Sequence, residues 1–343
     1  MYVDDIICAH NDEQLFAAFR KDFLERFNGK HLGKLSWFLG MAVDQHADGS
    51  ITINQNKSVS DLVKKYCPDF EVNGIKHALP GNSELFTPGK LQNAKDDIER
   101  ARVAGQPHGF MSIVGSLLYV ACMSRPDILY YVTLLCKHMQ DPSMECYRAA
   151  MGVVHYLGAH PNFEIRFDVN WQKRLPAVLD EHKQMIVENS GLHAYSDSSW
   201  AAGNEVFPMF GYVVFLCGGM ISFAAKNMTV VAQSSCEAEY VATAYTCKEL
   251  DFVRNLCSEL DIGLSHPAML MVDNSAAIDI IKDRGVSGRT KHFNLGLHYT
   301  RNAYEERKVL PLFVRTKNQA ADWFTKGLDK TTFLTWFKFY QMH

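Results

Sequence analysis

Apolar residues recur at two different spacings along this chain, and the places where the spacing changes outline its elements. Near the start, Tyr2-Val3 and Ile6-Ile7 read as two strands on either side of a turn made by Asp4 and Asp5. A helix follows, with Asn11 as N-cap and Gln14 three residues on, and its apolar side recurs at Leu15, Phe19, Phe23 and Phe27. Trp37 to Val43 is a strand-like run, and the turn pair Asp48-Gly49 leads into Ile51-Thr52-Ile53 as the second arm of a hairpin. From Asn56 to Leu157 the spacing is mainly helical, broken by an irregular connection over 71–108. Ser124-Arg125-Pro126-Asp127 marks a helix start, after which Ile128, Tyr131, Leu135 and Met139 run along one face. Residues 168–190 are polar and amphipathic and read as a linker or insertion.

After residue 191 the order becomes strand, hairpin, helix, strand, helix, helix, strand, helix. His193 to Ser196 is the first strand; Phe210–Leu216 and Met220–Ala224 flank a Gly218-Gly219 turn. Ser234 to Leu260 is a long helix, Ala268 to Val272 a strand, Arg289 to Glu306 a helix, Leu310 to Val314 a strand, and a last helix begins at Gln319. This order predicts an α/β layer architecture, a mixed sheet with covering helices.

Composition changes the picture little. A chain of 343 residues can hold two or three domains, and 47% hydrophobic with 21% charged residues is ordinary for a globular protein. A net charge of −3 lacks the overall basic footprint of most nucleic-acid binders, although basic residues can cluster locally. No run of about 18 apolar residues and no leader pattern is present, so a soluble intracellular protein with no membrane partner is expected. Nine cysteines without a C-x-x-C pair support neither a zinc ribbon nor a redox motif.

Four acidic residues stand where structure alone would not want them. Asp197 and Asp273 each end an apolar strand, Glu239 lies in the second turn of the long helix, and Asp322 lies in the first turns of the last helix, which Thr316 and Gln319 can cap. Carboxylates at strand ends and helix starts can converge on one point of a sheet. Like charges a few ångström apart raise one another's pKa unless cations neutralise them. Two Mg²⁺ ions about 4 Å apart would do so, one activating water and one steadying a leaving oxygen, which is phosphodiester hydrolysis chemistry. Ser234-Ser235-Cys236-Glu237 forms a capping box, so Glu237 has a structural task and Glu239 is favoured as the ligand. An aspartate after a strand is more commonly a turn or cap residue, and Asp273-Asn274-Ser275 could simply start a helix. Residue types and spacing reach as far as a metal-dependent nuclease.

Motifs carry the reading further. Tyr2-Val3-Asp4-Asp5 resembles the Y-x-D-D turn of reverse transcriptases, and Phe38-Leu39-Gly40 resembles the primer-gripping strand of copia-type LTR retrotransposon polymerases. Ile113-Val114-Gly115-Ser116-Leu117-Leu118-Tyr119, followed by Ser124-Arg125-Pro126-Asp127-Ile128, is similar to that family's connecting region. Tyr195-Ser196-Asp197-Ser198-Ser199-Trp200-Ala201, Ser234 to Tyr240, Val272 to Ile278, Arg289-Thr290-Lys291-His292 and Ala320 to Lys326 then follow in the order and spacing of the copia-type ribonuclease H domain. The resemblance covers residues 2–328, the C-terminal part of a reverse transcriptase plus a ribonuclease H domain. It departs at Ser198-Ser199, where Ala-Asp is common, at Cys236 for Thr, and at Phe293-Asn294-Leu295-Gly296 for a more polar run.

The resemblance implies a ribonuclease-H-like mixed sheet with flanking helices over 191–328. Before it come a partial reverse-transcriptase palm over 1–55, a mainly helical thumb or connection region over 56–167 and the 168–190 linker; a helical tail over 329–343 ends the chain. It implies Asp197, Glu239, Asp273 and Asp322 as catalytic ligands of two Mg²⁺ ions, with Mn²⁺ as a substitute, and an RNA–DNA hybrid as substrate in a cytoplasmic particle or the nucleus. It implies Asp4 and Asp5 as polymerase carboxylates. Nucleotide addition needs a third aspartate and a nucleotide site upstream of them, so it is expected only within a longer polyprotein. A catalytically silent, nucleic-acid-binding relic is the remaining alternative; an integrase, whose acidic triad has another order, is disfavoured. Hybrid cleavage is expected to survive removal of residues 1–167.

Overall fold

The computed structural model describes residues 6–71, 79–80, 85–86, 90–200, 208–230, 232, 234–282 and 298–342. The Asp4-Asp5 turn and the Arg289–His292 and Phe293–Gly296 motifs lie outside the described residues. Helix α1, Glu13–Arg26, is capped by Asp12 and not Asn11: the Asp12 carboxylate accepts the N–H groups of Gln14 and Leu15 at 2.8 and 3.0 Å. No residue of α1 is buried, and Leu15, Phe19 and Phe27 are exposed. Its apolar stripe therefore has the helical spacing but, among the described residues, no core to face.

The run from Trp37 to Val43 is two strands. β1 (Trp37–Phe38) and β2 (Met41–Gln45) are joined at Leu39 and Gly40, whose φ values of 49° and 77° suit a two-residue hairpin turn. β3 (Ile51–Asn54) returns from the Asp48-Gly49 turn as expected, with Val43 opposite Ile53. Five helices follow, α2 (Asn56–Tyr66), α3 (Asp97–Ala104), α4 (Phe110–Met123), α5 (Pro126–Cys136) and α6 (Met144–Ala159). Pro126 opens α5 as read from sequence, and the helix ends before Met139. The Arg125–Asp127 ion pair at its start is 2.7 Å long and almost wholly buried, and the Tyr156 hydroxyl donates to Asp127 at 2.8 Å. β4 (Ile165–Phe167) then closes a four-stranded antiparallel sheet against β3.

The segment 168–190 holds two 3-10 turns, Trp171–Lys173 and Ala177–His182, and helix α7 (Lys183–Glu188). Trp171, Leu175, Leu179 and Ile186 are buried in the same core as α4–α6, so this stretch is packed structure despite its polar composition.

The second sheet has the order β7-β6-β5-β8-β9, made of β5 (His193–Ser199), β6 (Met209–Leu216), β7 (Gly219–Asn227), β8 (Ala268–Val272) and β9 (Val309–Phe313). β5, β6 and β7 are antiparallel neighbours, and β8 and β9 run parallel to β5. Helix α8 (Ser235–Glu259) links β7 to β8; α9 (Ser275–Lys282) and α10 (His298–Glu305) lie between β8 and β9, and α11 (Lys330–Met342) ends the described chain. Successive strand residues point to opposite faces. Ala194, Val214, Leu270 and Val272 pack with α8, whereas Tyr195, Val213, Phe215, Met269 and Met271 pack into the core shared with α4–α6 and α11. The mixed sheet with flanking helices is thus the fold expected from the sequence. One of its faces is packed against helices from the first 167 residues. Among the described residues no helix is long and apolar enough to cross a membrane.

The β6–β7 turn sits at Cys217-Gly218, one residue earlier than the Gly-Gly reading. Gly218 has φ +74°, and a Cβ there would overlap the Cβ of Trp171. Gly218→Ala is expected to cost about 1–3 kcal/mol by displacing Trp171 from the shared core. Urea unfolding of the full chain measures this, and an unchanged midpoint would show that the 168–190 segment does not pack as described.

Candidate metal centre

Parallel strands bring their C-terminal ends to one edge, and two of the four carboxylates meet there for that reason. Tyr195 pairs with Met271 across β5 and β8, so Asp197 and Asp273, each two residues further on, arrive level. β5 runs on to Ser199, which places Asp197 within the strand, opposite Gly211 of β6. Asp273 follows β8 directly. It does not cap α9: Asn274 does, accepting the Ala277 N–H at 3.0 Å.

Glu239 reaches the same point from α8. Ser234 caps that helix by accepting the Glu237 N–H at 3.1 Å, so Glu237 stands in the first turn. Glu239, one half-turn on, is buried. Its Oε1 accepts both the N–H and the hydroxyl of Ser198, at 2.9 and 2.8 Å, while its Oε2 is buried with no partner among the described residues. Oxygens of Asp197, Glu239 and Asp273 lie within 4.8 Å of one another.

Asp322 joins differently. It lies in a 3-10 turn, Ala320–Phe324, and not in the last helix, which starts only at Lys330. Asp329 explains the break, accepting the N–H groups of Thr331 and Thr332 and so starting a separate helix. Gln319 fixes the turn from both sides, accepting the Ala321 N–H at 3.2 Å and donating to the Ser196 carbonyl at 2.9 Å. Gly211 makes room for it: a Cβ there would lie 2.5 Å from Cβ of Phe324 and 2.9 Å from Cγ2 of Thr325. Asp322 meets Asp197 through a cation, the Lys326 Nζ lying 2.6 Å from Asp322 Oδ1 and 3.3 Å from Asp197 Oδ2. The Thr325 hydroxyl also donates to Asp197.

Burial sets the electrostatics. It pushes Asp197 up to about 7, with the nearby Asp322 and Asp273 adding to the rise and Lys326 and Thr325 opposing it. Burial and the charge of Asp197 push Glu239 up to about 9, against the two Ser198 hydrogen bonds. Burial also raises Asp322, which Lys326 opposes. For Lys326 itself, burial disfavours the ammonium, but Asp197 and Asp322 outweigh it and hold the group above its usual range.

The donor set fits a hard divalent cation. Asp197, Glu239 and Asp273 offer carboxylate oxygens only, and Glu239 Oε2 is a buried acceptor with no hydrogen-bond partner among the described residues. Ser198, Thr325 and Lys326 had no role assigned from sequence, while Gln319, expected as a cap, does cap the Asp322 turn. Lys326 was findable as the residue four after Asp322; Ser198 was visible as a departure from the resembled motif, and its bond to Glu239 depends on strand–helix packing. Asp4 and Asp5 lie outside the described residues.

No family model matches the chain. The retrovirus-related Pol polyprotein from transposon RE2 of Arabidopsis thaliana is 30% identical over 334 residues, covering 97% of this chain and 21% of that protein. A transposon Ty5-1 protein of Saccharomyces cerevisiae is 27% identical over 256 residues, covering 73% of this chain and 72% of that protein. Among solved structures, RNase H1 from the archaeon Halobacterium salinarum NRC-1 aligns with 38% of this chain and 89% of its own at 14% identity and a TM-score of 0.26. The chain spans about a fifth of the length of the RE2 polyprotein.

The raised carboxylates make stability depend on pH and metal. A carboxyl group whose folded pKa exceeds its unfolded value stabilises the fold below the unfolded value, about 4, and loses that contribution as pH rises through the folded value. In a chelator the melting temperature should therefore fall as pH climbs through about 7 and on toward about 9. Mg²⁺ added at the upper end should restore it. A chelated protein whose melting temperature stays flat or rises over that range would contradict the buried cluster.

Proposed function

We propose, for a chain whose relatives over 97% of its length are Pol polyproteins of copia-type transposons, that it is a divalent-metal-dependent endonuclease of the ribonuclease H type, cutting the RNA strand of RNA–DNA hybrids. The observation that carries the reading is the convergence of Asp197 on β5, Asp273 just after the parallel strand β8 and Glu239 on α8, with a buried Glu239 oxygen that has no partner among the described residues. Asp197, Glu239, Asp273 and Asp322 would hold two Mg²⁺ ions, or Mn²⁺ in their place. Bound there, the ions supply an activated water and neutralise charge at the phosphodiester.

The chain's own residues prepare that site. Ser198 locks one Glu239 oxygen with two hydrogen bonds and leaves the other toward the cluster. Gln319 ties the Asp322 turn to β5, so both ends of the site hang on one strand. Burial of Asp197 and Glu239 excludes water that would otherwise weaken their pull on a cation. Nucleotide addition, the task of Asp4 and Asp5 in the resembled polymerases, is assigned to a longer polyprotein supplying an N-terminal polymerase portion.

Asp197→Asn and Asp273→Asn in the full chain should each lower hybrid cleavage on the order of 100-fold or more, since a ligand lost from a shared ion removes several kcal/mol of transition-state stabilisation. Glu239→Gln should abolish cleavage while leaving the metal-free melting temperature level or higher. Glu237→Ala should retain cleavage and lose about 1 kcal/mol or less of stability. Gel assays on a labelled hybrid, paired with thermal melts, decide the matter. Wild-type rates in Asp273→Asn would remove the metal assignment, and exchanged phenotypes for the two glutamates would move the ligand to Glu237.

A further inference from the structure

The carboxylate cluster has two sides that share Asp197, and they differ in what neutralises them. On one, Asp197, Glu239 and Asp273 present oxygens within 4.8 Å of one another, and Glu239 Oε2, on a residue more than nine-tenths buried, has no partner among the described residues. On the other, the Lys326 ammonium lies 2.6 Å from Asp322 Oδ1 and 3.3 and 3.4 Å from the two oxygens of Asp197. The Lys326 N–H also donates to the Asp322 carbonyl at 3.1 Å, so the cation and its carboxylate branch from a single turn.

From this geometry we infer that Lys326 is a resident counter-cation for the Asp197–Asp322 side, and that a divalent ion must displace it there. The two sides of the site then fill in order, the three-carboxylate side first. A cation held by Asp197 and Asp322 would need the space the ammonium occupies, and the two cations would repel each other there. Lys326 is partly exposed on a flexible four-carbon stem, so its head can swing into solvent when an ion arrives. Formally, three negative charges face the first side. The second nets a single negative charge once Lys326 is counted, with Asp197 shared between them. The inference rests on the metal-dependent reading above and adds a positioning residue that orders ion binding.

Mn²⁺ alone, titrated into the full chain and followed by calorimetry and by the electron spin resonance of the free ion, tests it. The wild type should bind one ion and then a second at least about tenfold more weakly, the order of one partly hydrated charge–charge contact. Lys326→Met should tighten the second ion by about tenfold and lower the melting temperature in chelator at alkaline pH, where the two carboxylates lose their counter-charge. Lys326→Gln carries the same expectation should the methionine variant not fold, and Lys326→Arg should keep the second ion weak. A second affinity that is unchanged or weaker in Lys326→Met and Lys326→Gln, with the first ion still bound, would overturn the inference and leave Lys326 a structural residue. Mn²⁺ binding that is absent in the wild type, or unmoved by Asp273→Asn, would instead overturn the metal-dependent reading itself.

Discussion

Taking several carboxylates out of water beside one another is costly, and the architecture around Asp197 answers that cost. Desolvation disfavours each charge and mutual repulsion adds to it. The fold supplies partial compensation from its own groups: two hydrogen bonds from Ser198 to Glu239, a hydroxyl from Thr325 to Asp197, and the Lys326 ammonium between Asp197 and Asp322. Among the described residues, what remains uncompensated is the side facing Glu239 Oε2. A protein without a use for that imbalance would relieve it with an arginine or an amide. Under the proposed metal-dependent function, that uncompensated side is where a cation would bind.

Holding such a cluster together requires a rigid frame, and the sheet provides it by being covered on both faces. Strand residues alternate between a core built with α8 and a larger core that joins α4–α6, the 168–190 segment and α11. Trp323 and Phe324, on the turn that carries Asp322, are buried in that larger core beside Phe333 and Tyr340, and Tyr340 donates its hydroxyl to the Ala320 carbonyl at 2.7 Å. The position of Asp322 is therefore set by packing against α11 as well as by Gln319. Helices of the first half also contribute to the frame: the Thr133 hydroxyl of α5 donates to the Ala225 carbonyl of β7 at 3.0 Å. The five-stranded sheet and the helical region before it share one packed core, whereas no residue of α1 is buried.

Much of this was legible in one dimension because local physics left a mark on residue order. Strand alternation, the Asp48-Gly49 turn, Pro126 at a helix start and the Ser234 cap each follow from constraints acting within a few residues, and each is found in place. The order of strands and helices after residue 191 likewise led to the mixed sheet, because apolar runs of strand length separated by amphipathic stretches leave few ways to bury both. The same local reasoning erred by a residue at the Asn11 cap and at the Gly218-Gly219 turn. There neighbouring residues could serve equally; at the second of them the turn packs on Trp171.

Other features were decided only in three dimensions. Trp37 to Val43 looked like one strand because its apolar residues are continuous; the turn at Leu39-Gly40 depends on pairing across a hairpin. Residues 168–190 looked like a linker or insertion because polar residues are interspersed throughout, and only the folded chain shows that Trp171, Leu175, Leu179 and Ile186 are core. Asp322 was assigned to a helix that in fact begins eight residues later, since the competing cap at Asp329 is a matter of local geometry that Thr316 and Gln319 mimic in sequence. Sequence alone determined which carboxylates were candidates, because an acidic residue at the end of an apolar strand is conspicuous. Tertiary structure alone decided that three of them meet, that Asn274 relieves Asp273 of a capping role, and that Lys326 stands between Asp197 and Asp322. The physical reason is that charge interactions depend on distance and burial, and residues 197, 239, 273 and 322 acquire both only when the sheet closes.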